Sequence, residues 1–197
     1  MRDRLIEAGM TLLERDGIAG MSLRKTAALA GVSHAAPAHH FDGLPGLMTA
    51  IAEAAFARFV RAMEAAIARA PADPVSRLQA TCAGYLDFAT RHAGLFHVMF
   101  QSDAVSHDDP ALVMQSARAY DLLRLACAPF SAQRDQAFET AVWSLVHGYA
   151  LLGFAPRLGQ QQGQLRIPAF SACLSHLIAE KSSRAGLAPL APPDAGR

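Results

Sequence analysis

Residues 22–41 read SLRKTAALAGVSHAAPAHHF. Two serine hydroxyls (Ser22, Ser33), two cations (Arg24, Lys25) and three imidazoles (His34, His39, His40) fall within that stretch. A guanidinium grips a phosphate, or the O6/N7 edge of guanine, with two parallel hydrogen bonds. The small side chains of Ala35 and Ala36 suit contact with a thymine methyl group. The chemistry on offer is recognition of a polyanion rather than bond making. The chain has no H-E-x-x-H, no glycine-rich phosphate loop and no C-x-x-C. His92, His97 and Asp87 fall on different helical segments and show no metal-ligand spacing. We therefore expect a non-enzyme with no catalytic residue, no metal site and no cofactor.

Elements must hold those groups in place. Ser22 and Ser33 can each cap a helix start, because a side-chain oxygen accepts one of the unpaired first-turn N–H groups. Between them an Ala-rich run, Leu23–Ala30, predicts a short helix, and Gly31-Val32 a turn. Helix, short break, helix is the layout of a helix-turn-helix, whose second helix enters the major groove of DNA. Leu23, Ala27, Ala30, Val32 and Phe41 supply its packing. Pro37 is the anomaly. It has no N–H to donate to the Ser33 carbonyl and it biases Ala36 away from helical torsions. The second helix is expected to start late or with irregular geometry.

No strand-like alternation appears, so the fold class is all-α, with about nine helices. A first amphipathic helix spans roughly Asp3–Arg15, stopped by Asp16-Gly17. After Ser22–Phe41, Pro45 opens a long helix to about Ala70. Asp73-Pro74 opens a fifth helix ending near His92, followed by a short apolar segment, Leu95–Phe100. Asp109-Pro110 opens another, reaching about Cys127. Ala132–Phe154 and Pro168–Lys181 complete the set, joined by a polar loop, Arg157–Arg166, whose Gln and Gly residues suggest mobility. The expected domains are 1–44, a helix-turn-helix head, 45–181, a helical body, and 182–197, a Pro/Ala/Gly-rich disordered tail.

S-L-R-x-x-A-x-x-A-G-V-S followed by H-F resembles the DNA-binding signature of the tetracycline-repressor (TetR) family of bacterial transcription regulators. The resemblance covers about Leu5 to Leu47 well and the remainder loosely. It implies DNA contact by Ser22, Arg24, Lys25, Ser33, His34, Ala35, Ala36, Pro37, His39 and His40. Ala38 stands where the family usually has Tyr, and Leu44 where a Lys is common. Both substitutions remove a phosphate contact. Trp143-Ser-Leu-Val-His147-Gly148 resembles the W-x-x-x-H-G element of one subgroup. With the last helix it implies a dimer interface at Trp143, His147, Gly148, Phe170, Leu174 and Leu177, although His147 also suits a hydrogen-bonded interior position. The resemblance further implies an effector cavity, for which Phe59, Met63, Tyr85, Phe88, Phe96, Met99, Phe100, Met114 and Tyr120 are candidates. An apolar residue at helical spacing is, taken singly, more often core. The function so implied is a homodimeric repressor that releases an inverted-repeat operator in double-stranded DNA when a small, largely apolar effector binds. The competing reading is a ligand- or partner-binding helical dimer whose DNA binding is weakened or lost.

Composition fits these expectations without proving them. The net charge of +1 is too small to announce a nucleic-acid partner. With no Arg, Lys, Asn or Gln between Ser33 and Phe41, DNA affinity should depend only shallowly on salt. Three histidines near the contact face should strengthen binding below about pH 6.5. Cys82, Cys127 and Cys173 are widely spaced and odd in number, which fits a reducing cytoplasm. The resemblance implies that this cytoplasm is bacterial and that the protein is associated with the nucleoid. MRDRLIEAG has no signal-peptide core. The uncharged run Thr140–Pro156 holds Ser144, His147 and Gly148, which favours a buried helix over a membrane span.

Overall fold

The computed structural model of the chain describes residues 1–154 and 168–184. Among them lie eight α-helices and no strand: α1 (Arg2–Asp16), α2 (Leu23–Ala30), α3 (Gly43–Ala68), α4 (Pro74–Arg91), α5 (Ala93–Gln101), α6 (Pro110–Cys127), α7 (Gln136–Phe154) and α8 (Phe170–Arg184). The fold is all-α, as expected, and close to the nine helices anticipated. Single 3₁₀ turns cover Ile18–Gly20, Ala36–His39 and Ala128–Phe130. The expected loop at Arg157–Arg166 lies outside the described residues. Of the expected tail, 182–197, the first three residues are a correction: Ser182–Arg184 continue the last helix, with Ser182 buried, and the remainder lies outside the described residues.

Caps explain where the helices start and stop. Gly17, at φ 68°, closes α1 and donates its N–H to the Leu13 carbonyl at 3.0 Å. The Asp73 carboxylate accepts the Ser76 N–H at 2.8 Å and opens α4. The Asp109 carboxylate accepts from Ala111 and Leu112 at 3.0 and 3.1 Å and opens α6. α7 begins at Gln136, not at Ala132, because Asp135 is the residue that caps it, accepting from the Phe138 N–H at 3.0 Å. The apolar segment Leu95–Phe100 is part of α5, with Leu95, Phe96, Val98 and Met99 buried.

The chain divides into two compact units, Met1–Arg61 with Phe88–Tyr120, and Ala62–Asp87 with Asp121–Arg197. In the first, α1 packs on α2 and on α5. Leu5, Leu12, Leu13, Leu47, Ile51, Phe59 and Phe96 are its core, each no more than 2% exposed. Gly94 is required there, because a Cβ would stand 2.5 Å from the Leu13 carbonyl oxygen. An ion pair of Glu7 with Arg58 ties α1 to α3, and Glu14 meets His92 Nδ1 at 2.5 Å. In the second unit α7 packs on α8, over a core that includes Leu78, Cys82, Val142, Val146 and Leu174. α3 is long and apolar enough to cross a membrane by length and composition alone. It is a core helix here: Leu47, Ile51, Ala52 and Ala55 are completely buried.

Candidate functional site

Ser22 is extended, at φ −161° and ψ 151°, and its hydroxyl accepts the Lys25 N–H at 3.2 Å. That is an N-cap, and a regular α-helix follows. The Ser22 carbonyl accepts the Thr26 N–H at 3.0 Å, and the Thr26 hydroxyl donates to the same oxygen at 2.9 Å. Thr26 and Ala27 are completely buried, while Arg24 and Lys25 face solvent. Gly31 ends α2 in the left-handed region, at φ 65° and ψ 40°, and Val32 donates back to the Ala27 carbonyl at 3.0 Å. These are the geometry and the polarity that a first helix of a helix-turn-helix requires.

The second segment is not an α-helix. The Ser33 hydroxyl accepts the Ala35 N–H at 3.3 Å, as a cap would. The Ser33 carbonyl then accepts from Ala36, three residues on, at 2.9 Å. Its α-helical partner would be residue 37, which is proline and has no N–H. The chain therefore tightens into a 3₁₀ turn over Ala36–His39, with Ala38 donating to Ala35 and His40 to Pro37. The irregular geometry expected of this segment is present, and the proline causes it. Pro37 itself is buried, which removes it from the DNA-contact set: it packs inward and anchors the turn. Ser33, His34, Ala35, His39 and His40 are exposed and Ala36 is half-buried.

Two contacts in this head have no signal in the sequence. Arg4 Nη2 donates to the Ala30 carbonyl at 2.6 Å, and the Arg2 guanidinium carbon lies 5.7 Å from the centre of the Phe41 ring. The partners are far apart in sequence, and no local pattern announces them. Lys25, expected at a phosphate, directs its ammonium to the Gly20 carbonyl at 3.1 Å in this structure.

The candidate effector residues fall in both units. In the first, Phe59, Phe88, Phe96 and Met99 are buried, and Phe100 and Tyr120 are half-buried. The rings pack at an angle on one another, Phe59 on Phe88 at 5.2 Å, Phe96 on Phe100 at 4.9 Å. Met114 is 57% exposed, a correction: α6 turns that side chain outward, away from any interior. In the second unit Met63 and Tyr85 are buried. The Tyr85 hydroxyl meets His147 Nδ1 at 2.7 Å and receives a hydrogen bond from Trp143. Burial pushes the tyrosine pKa up and the half-buried histidine's down, so the neutral pair is favoured. His147 thus occupies the hydrogen-bonded interior position that the sequence also allowed.

Of the expected dimer residues, Trp143 is 41% exposed, and a Cβ added at Gly148 would meet nothing within 4 Å. Phe170 and Leu177 are half-buried. Leu174 is completely buried within the chain, so it serves the α7–α8 contact rather than an outward face. A cleft of about 220 Å³ with a mixed lining lies beside the start of α7, bounded by Arg124, Cys127, Ala128, Ser131, Arg134 and Glu139 among others. There Arg134 holds the buried Glu139 carboxylate through two bonds of 3.2 Å. Burial pushes the nearby Cys127 thiol up to about 12, so it is inert as a nucleophile. Among the described residues no group of His, Cys, Asp and Glu is arranged to hold a metal ion.

Comparison with known proteins agrees with this architecture. Residues 78–177 match the family model described as Tetracyclin repressor-like, C-terminal domain. No curated protein sequence matches the chain. Among solved structures, a protein of unknown function from Rhodococcus sp. RHA1 is 27% identical, with a TM-score of 0.72 over 90% of this chain and 92% of that one. The TetR family transcriptional regulator PfmR of Thermus thermophilus is 23% identical, with a TM-score of 0.60 over 80% of this chain and 88% of its own. The multidrug binding protein EbrR, solved with imidazole, is 21% identical at a TM-score of 0.61, over 89% and 93% of the two chains. The last two likenesses are likenesses of fold.

Proposed function

We propose that this chain, which belongs to the tetracyclin repressor-like family of DNA-binding transcription regulators, is a homodimeric repressor that leaves its operator when a small effector binds. The observation that carries this is the head. A serine-capped α2, a left-handed Gly31 turn and a second capped segment bring Arg24, Ser33, His34, His39 and His40 to the surface within one short unit. Arg24 is the group best suited to a phosphate or a guanine edge, and the small Ala35 suits a thymine methyl. Residues 1–44 would read DNA, and 45–181 would dimerise and take the effector.

The exposed Trp143 and the open flank at Gly148 support a dimer through α7 and α8. We read the Trp143–His147–Gly148 element as that of the W-x-x-x-H-G subgroup. Two-fold symmetry makes the operator an inverted repeat. The aromatic interior suits a small, largely apolar effector. That effector acts only if it binds the DNA-competent and DNA-free states unequally. A protein working on chromosomal DNA belongs in the bacterial cytoplasm.

A second reading is favoured by one observation. The recognition segment is a single 3₁₀ turn, with Ala38 and Leu44 where the family offers a hydroxyl and a cation. In that reading the molecule is a ligand- or partner-binding dimer whose DNA binding has decayed. Fluorescence anisotropy separates the two, using the DNA flanking the protein's own coding sequence and a scrambled control. Sequence-specific binding that vanishes in an Arg24→Ala, Ser33→Ala double variant supports the repressor. Equal, weak binding to both duplexes supports the second reading.

A further inference from the structure

The recognition segment cannot hold itself in place. A short 3₁₀ turn has poorer hydrogen-bond geometry than an α-helix and little cooperativity. Between Val32 and His40 only Pro37 is buried. With Pro37 as its one buried residue, the segment's direction depends also on its two ends, and α1 reaches both. At the entrance the Ala30 carbonyl is one of the last carbonyls of α2, which lack helical partners and carry the negative end of the helix dipole. Arg4 Nη2 donates to it at 2.6 Å, a charge-assisted bond. At the exit, Phe41 is buried to 8% exposure, and the Arg2 guanidinium sits over its ring at 5.7 Å. Glu53 of α3 lies 3.8 Å from Arg2 and steadies it. Residues two apart on a helix point to nearly opposite sides, so neighbouring arginines in the first turn of α1 can serve two separate ends.

The geometry points to Arg2 and Arg4 as positioning residues for DNA recognition: α1 clamps the entrance and the exit of the recognition turn. The inference rests on the DNA-binding reading above. It assigns these arginines a role through the segment, not through a phosphate.

The test uses the full chain with a duplex selected from a random library and a scrambled duplex of equal composition. Arg4→Met should lower affinity for the selected duplex about tenfold or more, leaving scrambled-duplex binding and the salt slope unchanged. Arg4→Lys, which still presents a charged donor to Ala30, should recover part of the loss. In DNA-free protein, amide exchange at Ala36, Ala38, His40 and Phe41 should accelerate in Arg4→Met more than exchange within α2. Should Arg4→Met fail to fold, Arg2→Met is read in the same way, with the faster exchange centred on Phe41. Equal losses on both duplexes, with a salt slope shallower by about one, would make the arginine a phosphate ligand and overturn the clamp. Unchanged exchange would overturn it too. If the wild-type protein binds neither duplex, the DNA reading has failed, and the exchange data alone decide whether the arginines hold the segment.

Discussion

The head contains two segments that begin alike and end differently. Ser22 and Ser33 each present a hydroxyl to an N–H two or three residues ahead. After Ser22 the chain makes two turns of α-helix, and after Ser33 a tight 3₁₀ turn. The decisive difference sits four residues past each serine. Thr26 donates its N–H to the Ser22 carbonyl at 3.0 Å, while Pro37 has none to give to Ser33. A cap offers a helix its first bonds, but the fourth residue decides whether the helical ladder begins. Both segments bring polar groups to the surface, Arg24 and Lys25 from the regular helix and His34, His39 and His40 from the segment with the tight turn.

That contrast can be broken most severely from the α2 side. Thr26→Pro copies the Pro37 defect into α2. It removes the 3.0 Å bond and the 2.9 Å hydroxyl bond to Ser22 at a completely buried position. The cost should be about 3 kcal/mol or more, read as a drop in denaturant midpoint together with lost helical signal. Gly31→Ala attacks the joint between the segments. The added Cβ finds room, its nearest neighbour being Arg4 Nη2 at 3.5 Å, but φ 65° strains an alanine. Thermal or urea unfolding should show a loss of about 1–2 kcal/mol.

The caps themselves should differ in worth. Ser22→Ala removes a bond that starts a real helix and should cost about 1 kcal/mol. Ser33→Ala removes a 3.3 Å bond at an exposed turn and should cost less than about 0.5 kcal/mol. Equal losses in the two variants, measured in one urea series, would mean that the second cap nucleates more structure than a 3₁₀ turn.

Much of this architecture is legible in the sequence because it is local. Gly17, Asp73 and Asp109 mark helix ends by their own backbone and side-chain chemistry, and each does so in the structure. The effect of Pro37 follows from its missing N–H. Expectation and structure part where two local signals compete or where contacts cross the chain. Ala132 and Asp135 both permit a start to α7, and only the carboxylate of Asp135 supplies a cap. Met114 has the right residue type for a pocket but the wrong phase on α6. Arg4 reaches Ala30 across 26 residues, and Arg2 reaches Phe41, through the packing of α1 on α2. The exposure of groups such as Arg24 and His34 follows from polarity and motif, whereas what holds their segments in place does not.

The substitution whose energy terms oppose one another bears most directly on the comparison. Pro37→Ala returns an N–H to the position opposite the Ser33 carbonyl and lifts the restriction on Ala36. The gain is a backbone hydrogen bond and a residue that favours the helix. Against it stand the lost ring contacts of a buried proline and a more flexible unfolded chain. These oppose one another, so stability should stay within about 1 kcal/mol of the parent. Structure should not stay put. Carbon chemical shifts over His34–His40 should move to α-helical values, and the Ala36 N–H should exchange at a new rate because its Ser33 acceptor is now shared. If the shifts keep their 3₁₀ pattern without the proline, then the ends of the segment, not the missing N–H, set its shape. The contrast between the two serine-capped segments would then originate in α1, through Arg4 at the entrance and Arg2 at the exit.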